Sequence, residues 1–173
     1  KKDGGWFVSD PSLVTDAVTK EMFLVQNARN PADKRNRHFV LVQKSTDNGR
    51  TWTKPADITS AFREKGWKDD EYVLMTSGRG IQLKDGTLAF CQNHVDGSRG
   101  RLVGSRDHGK TWCVLSGWFG PSTDESKVVE LEDGRLMVMS REGYRKGGAP
   151  VGHKLLFVSS DRGKTWTETG AAE

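Results

Sequence analysis

An eight-residue unit, Ser-x-Asp-x-Gly-x-Thr-Trp, occurs three times in this 173-residue chain and constrains its fold more than any other feature. The copies run from Ser45 to Trp52, Ser105 to Trp112 and Ser159 to Trp166, at spacings of 60 and 54 residues. Self-similarity at a fixed spacing marks a repeat architecture, in which each unit stacks on the next. Each copy has the chemistry of a turn. Asp47, Asp107 and Asp161 can accept backbone N–H groups across it. Gly49, Gly109 and Gly163 supply a conformation closed to residues with a Cβ. Trp52, Trp112 and Trp166 offer broad apolar surfaces to a sheet. A calcium loop is the rival reading of Asp47-Asn48-Gly49, but it lacks the alternating carboxylates and the closing Glu. The unit marks a fold and by itself says nothing of catalysis.

Between the units the pattern is all-β, with short apolar runs separated by Gly and Asp turns. Strands are predicted at Glu21 to Asn27, Arg37 to Lys44, Arg79 to Leu83, Thr87 to Cys91, Arg101 to Ser105, Ser126 to Leu131, Arg135 to Ser140 and Lys154 to Ser159. Asp85-Gly86 and Asp133-Gly134 read as hairpin turns. Glu64 to Tyr72 reads as a loop, and Thr59 to Glu64 as one short helical turn. The repeat is a blade of about four strands, so the chain is expected to be one partial β-propeller domain over residues 1–173, with about three blades.

Composition narrows the partners. The 27 Lys and Arg stand against 23 Asp and Glu, a formal net charge of +4 scattered along the chain. That describes a mildly basic surface rather than a polybasic arm. The basic stretch at Lys34, Arg35 and Arg37 lacks interleaved aromatics, so nucleic acid is not an expected partner. No apolar run is long enough to span a membrane. Four scattered His residues have no metal-ligand spacing, and neither a metal nor a cofactor is expected. Cys91 and Cys113 are read as small buried hydrophobes rather than a disulfide.

The ordered set of segments resembles the sialidase (neuraminidase) family of six-bladed propellers, trans-sialidases included, in which the eight-residue unit is the Asp box. The likeness covers nearly the whole chain. Asp10-Pro11-Ser12-Leu13-Val14-Thr15-Asp16, followed by Glu21-Met22-Phe23-Leu24-Val25, is similar to the strand pair ahead of an Asp box. Gly80-Ile81-Gln82-Leu83 followed by Asp85-Gly86-Thr87-Leu88 resembles the family's Gly-Ile-Gln-Leu segment. Asp124-Glu125-Ser126-Lys127-Val128-Val129-Glu130-Leu131 resembles the motif presenting the catalytic glutamate. Arg141 follows sixteen residues after Glu125.

The resemblance implies an exo-α-sialidase that removes terminal sialic acid from a sialylated glycan with retention. Glu125 would be the general base on a tyrosine nucleophile, the family's departure from the usual carboxylate pair. A neutral phenol avoids the repulsion an anionic nucleophile would meet from the sugar carboxylate. Arg141 would clamp that carboxylate with its planar fork. Transfer to an acceptor sugar, or glycan or protein binding without catalysis, are the alternatives. The resemblance favours a secreted or cell-surface setting.

Other residues carry weaker expectations. Glu130, five residues past Glu125, is read as surface on the opposite strand face. Arg79 is read as near the pocket or in a turn. Asp124 and Glu125, as strand neighbours, are expected to diverge. Arg29 and Asp33 do not match the family's first arginine and acid/base aspartate, and Tyr72 and Tyr144 do not match its tyrosine. The chain alone is therefore expected to be inactive. An open stack leaves blade faces exposed, so the remaining blades are expected from the same longer polypeptide or from other chains.

Overall fold

Alternating apolar residues between Asp-Gly and Asp-box turns produce three antiparallel sheets, seen in a computed structural model that describes residues 6–35, 37–68, 71–143 and 154–172. The first blade contains β1 (Phe7–Thr15), β2 (Met22–Arg29), β3 (His38–Ser45) and β4 (Ala56–Asp57), paired in that order. A 3-10 turn at Thr59–Phe62 leads onward. In the middle blade the innermost strand is broken into β5 (Val73–Met75), β6 (Gly78–Arg79) and β7 (Ile81–Gln82), followed by β8 (Leu88–His94), β9 (Gly100–Ser105) and β10 (Cys113–Val114). The third blade is β11 (Thr123–Glu130), β12 (Leu136–Glu142), β13 (Lys154–Ser159) and β14 (Thr167–Ala172).

The break corrects the single strand expected over Arg79 to Leu83. β5 and β7 pair with β8, while β6 crosses to run parallel with β1, Leu13 opposite Arg79. The interruption falls at Gly80, where a Cβ would meet the Phe90 ring at 2.6 Å and the Ala89 carbonyl at 2.8 Å. Only a glycine permits that approach.

Burial follows the pleat. In the outer blades one face is covered: Phe23 and Val25 in β2, Val40 and Val42 in β3, Leu136 and Val138 in β12, Leu155 and Phe157 in β13. In the middle blade every residue of β8 and β9 is buried, because a sheet lies against each face. Cys91 and Cys113 are free thiols. Burial pushes the Cys91 thiol up to about 12, which keeps it protonated and inert.

The three Asp boxes share one set of Ser, Asp, Gly and Thr hydrogen bonds. In the second, Ser105 Oγ donates to Asp107 Oδ1 (2.7 Å) and accepts the Gly109 N–H (2.7 Å). Asp107 Oδ1 accepts the Thr111 N–H (2.8 Å), and Oδ2 accepts the Thr111 hydroxyl (2.6 Å). The first and third boxes repeat these bonds. Trp112 then packs edge-on to Phe23 of the preceding blade, its centroid 5.8 Å away. The side-chain and backbone bonds from the box threonines, joined by the serine hydroxyls, hold Asp47, Asp107 and Asp161 down at about 2, below the ordinary 3.8.

A depressed carboxylate stabilises the fold fully above its unfolded value and loses that contribution as pH falls through its folded one. Acid titration followed by circular dichroism is therefore expected to show stability declining from about pH 3.8 to about 2. Asp107→Asn should lower stability at neutral pH and flatten the slope across that window. Phe90, 1% exposed in the seam between the first two blades, provides a packing test. Phe90→Ala should cost about 3–5 kcal/mol in urea unfolding.

Candidate functional site

The inner strands define two ends. At one, Thr15 pairs with Met22 and Met22 with Ser45, where the first Asp box begins. At the other, Phe7 pairs with Arg29 and Arg29 with His38. A cleft of about 300 Å³ opens at this second end, away from the boxes. All three blades line it: Asp10 from the first, Thr76, Asn93, His94 and Asp96 from the middle, Asp124 and Glu125 from the third.

Two bulges put the acids there. β1 loses register between Ser9 and Ser12, within Ser9-Asp10-Pro11-Ser12. β11 does the same between Thr123 and Ser126, within Thr123-Asp124-Glu125-Ser126. A bulge re-aims side chains out of the ladder. Asp10 adopts φ 51° and accepts from Ser9 Oγ (2.8 Å) and Asn27 Nδ2 (3.0 Å). Asn27, 2% exposed, also exchanges bonds with the Met75 backbone, N–H to Oδ1 at 2.8 Å and Nδ2 to carbonyl at 3.0 Å. It thus joins the first blade to the second directly beneath Asp10. Thr76 Oγ1 donates to the Ser126 carbonyl (2.9 Å), joining the second blade to the third.

The bulge in β11 overturns the expectation that Asp124 and Glu125 diverge. Both reach one guanidinium: Arg141 Nε lies 2.6 Å from Glu125 Oε2, and Nη2 lies 2.6 Å from Asp124 Oδ2. Arg141 and Asp124 are about one-third exposed and Glu125 is 56% exposed. The residues singled out from the sequence, Glu125 and Arg141, therefore meet at the mouth of the cleft.

Other candidates lie elsewhere. Arg79 and Glu130 border a separate cavity of about 570 Å³ toward the box end. Glu130 is not simply surface, since its carboxylate accepts the Lys84 N–H at 2.6 Å and ties the third blade to the second. Tyr72 stacks on His38 at 3.9 Å in an outer groove, and Asp33 pairs with Arg37 at 2.6 Å. Tyr144 falls outside the described residues. Among the described residues, no group of three or more His, Cys, Asp or Glu is placed to hold a metal ion, and no helix is long and apolar enough to cross a membrane.

Sequence reasoning assigned no role to Asp10, His94 or Asp96. Aligning Ser9-Asp10-Pro11-Ser12 with Thr123-Asp124-Glu125-Ser126 would have found Asp10. His94 and Asp96 are positioned by a cage no motif announces. His94 Nδ1 lies 2.7 Å from Asp96 Oδ1, and its ring stands edge-on to Trp67 and Trp118, centroids 5.4 and 6.1 Å away. Asp96 is held down at about 2: burial raises it, but bonds from Ser98 and His94 outweigh burial. Arg101, 1% exposed, lies against the same two tryptophans at 5.4 and 4.3 Å. It donates to Gln92 Oε1 (3.1 Å), Glu64 Oε1 (2.7 Å) and the Phe62 carbonyl. Burial pulls its pKa down to about 10, partly offset by Glu64, so it stays charged at neutral pH.

The family described as BNR repeat-like domain matches residues 1–172. The chain belongs to that family. A sialidase of Bacteroides fragilis is 31% identical over 93% of the chain and 31% of its own length. A sialidase of Micromonospora viridifaciens is 34% identical over 91% of the chain and 26% of its own length. The solved structure of a Hadza microbial sialidase superposes with a TM-score of 0.80 at 27% identity, over 97% of the chain and 34% of that protein. The chain thus has the sialidase-type β-propeller fold and spans about a third or less of the length of each of these three relatives.

The cage yields a test of what shapes the cleft wall. Arg101→Leu leaves the Phe62 carbonyl and the Gln92 amide oxygen without this donor, at about 1–3 kcal/mol each. The loss should appear in urea unfolding followed by tryptophan fluorescence.

Proposed function

We propose that this chain is a section of an exo-acting sialidase, with Glu125 as the general base on a tyrosine supplied from outside it and Arg141 as one cation on the sugar carboxylate. The observation that carries the reading is the Arg141–Glu125 contact of 2.6 Å at the mouth of the cleft, on residues whose motif and spacing resemble the family's. A base must be held within reach of the proton it takes, and an arginine fork must be oriented before its ligand arrives. Asp124 and Glu125 both orient Arg141.

Electrostatics explains why the section needs company. Asp10, Asp96, Asp124 and Glu125 converge on the cleft, with Arg141 against the last two. An anionic sugar entering so acidic a space requires further cations. In this reading they arrive with other blades, from the same longer polypeptide or from other chains, together with the tyrosine and the acid/base aspartate. Transfer instead of hydrolysis would change only what resolves the sialyl intermediate.

The test is release of a fluorogenic leaving group from a sialoside by the complete propeller. Glu125→Ala is expected to lower kcat by about 10²–10⁴-fold, and Arg141→Lys to raise KM by losing the fork. Unchanged turnover in Glu125→Ala would sink the assignment. Binding of the sialoside without turnover would favour a non-catalytic glycan-binding propeller.

A further inference from the structure

The bulge in β11 sets two residues against one. Thr123 pairs with Glu142 and Ser126 with Ser140, so Asp124 and Glu125 together stand opposite Arg141 alone. The regular ladder is interrupted there, and backbone groups so placed need partners from elsewhere. Buried hydroxyls supply them. Ser126 Oγ donates to the Asp124 carbonyl at 2.6 Å, and Ser140 Oγ accepts the Asp124 N–H at 3.1 Å. Both serines are 0% exposed, and their hydroxyl oxygens are 3.0 Å apart. Ser140 Oγ also lies 3.0 Å from the Arg141 carbonyl. A hydroxyl has one proton to give. The set closes when Ser126 donates to Asp124 and Ser140 donates to Arg141. The Ser126 carbonyl is held in turn from the middle blade, by Thr76 Oγ1 at 2.9 Å.

A bulge at this place does not require such a pair. The bulge in β1 lies at the matching position, with Ser12 where β11 has Ser126. Opposite Ser12 stands Val25, which has no hydroxyl and is 1% exposed in an apolar cluster. Asp10 is held there by its own carboxylate, through Ser9 and Asn27. On β11 and β12 the residues next along the same face, Val128 and Val138, are buried and apolar. The two serines therefore interrupt an apolar face at the one point where the strands must aim a carboxylate and, across the ladder, a guanidinium.

We infer that Ser140, with Ser126, is a positioning residue for Glu125 and Arg141: the hydroxyl pair fixes the backbone through the bulge and so sets where both side chains point. The inference rests on the sialidase reading of Glu125 and Arg141, and it adds two residues that act through them without touching the sugar. Single hydrogen bonds contribute modestly to stability. Reacting groups tolerate far less displacement, and a misplacement near 1 Å is enough to cost about 10²-fold in rate. Arg141 contacts both carboxylates at 2.6 Å, so a slip of β11 against β12 disturbs all three groups together.

The experiment uses the complete propeller and a fluorogenic sialoside. Ser140→Ala is expected to lower kcat by up to about 10²-fold and to raise KM, since the arginine moves with the base. Loss of folded protein lowers the apparent kcat but leaves KM alone, so the KM change separates aim from folding. The same substitution is then made in a Glu125→Ala background. There the base is already gone, and kcat is expected to fall by less than about threefold further, because residues that act as a unit are not additive. Ser126→Ala removes only the donor to the Asp124 carbonyl. It is expected to follow the same pattern at smaller size, and it decides the matter if circular dichroism shows Ser140→Ala unfolded. Parent-like kinetics in the serine variants, or an equal loss with and without Glu125 at unchanged KM, overturns the inference. Unchanged turnover in Glu125→Ala is a different result, which removes the sialidase reading itself and the inference with it.

Discussion

Burial of sheet against sheet is the interaction on which the rest of the structure depends. A blade of about four strands has two faces, and a single blade cannot cover both. Here the middle blade buries every residue of its two central strands, while its neighbours bury alternate residues and leave the others partly open. The Asp boxes serve this stacking. Their internal bonds fix a turn that needs no help from solvent, and each following box then rests on the blade before it, as Trp112 does on Phe23.

The candidate site is a product of the same stacking. No single blade contains it. Asp10, Asn93, His94, Asp124 and Glu125 come from three sheets, and their alignment depends on buried cross-blade bonds from Asn27 to Met75 and from Thr76 to Ser126. The bulges in β1 and β11 lie at matching places in the first and third blades and turn acidic residues out of the ladder into one space. Tight packing behind a site keeps its geometry within the tolerance that chemistry demands. The boxes lie at the opposite end, so their conspicuous aspartates take no part in the cleft.

Legibility varied with how local the cause was. β13 falls on Lys154–Ser159 as read from the sequence, and β3 and β9 each run into the serine of a box, because apolar alternation followed by an Asp-box turn is a strong local signal. The outer strands β4 and β10 contain two residues each, and both residues of β4 are exposed, so no apolar pattern marks them. The split of the middle blade's inner strand depends on Phe90 pressing against Gly80, a contact between residues that no periodicity links. Asp124 and Glu125 depart from the expected divergence for a related reason: alternation holds only in an unbroken ladder, and the bulge breaks it.

The sequence by itself determined the repeat, the all-β class, the box turns and the Asp-Gly hairpins, because each arises from residues within a few positions of one another and from their own backbone preferences. It also brought Glu125 and Arg141 to notice through motif and spacing. Tertiary structure alone decided that Arg141 serves two carboxylates, that Asp10 joins them and that Arg101 lies caged between Trp67 and Trp118. It likewise decided that Asp16 and Asp85 tie one blade to the next. These outcomes depend on the register of one sheet against another, which apolar burial sets across the whole stack and no local run of residues encodes.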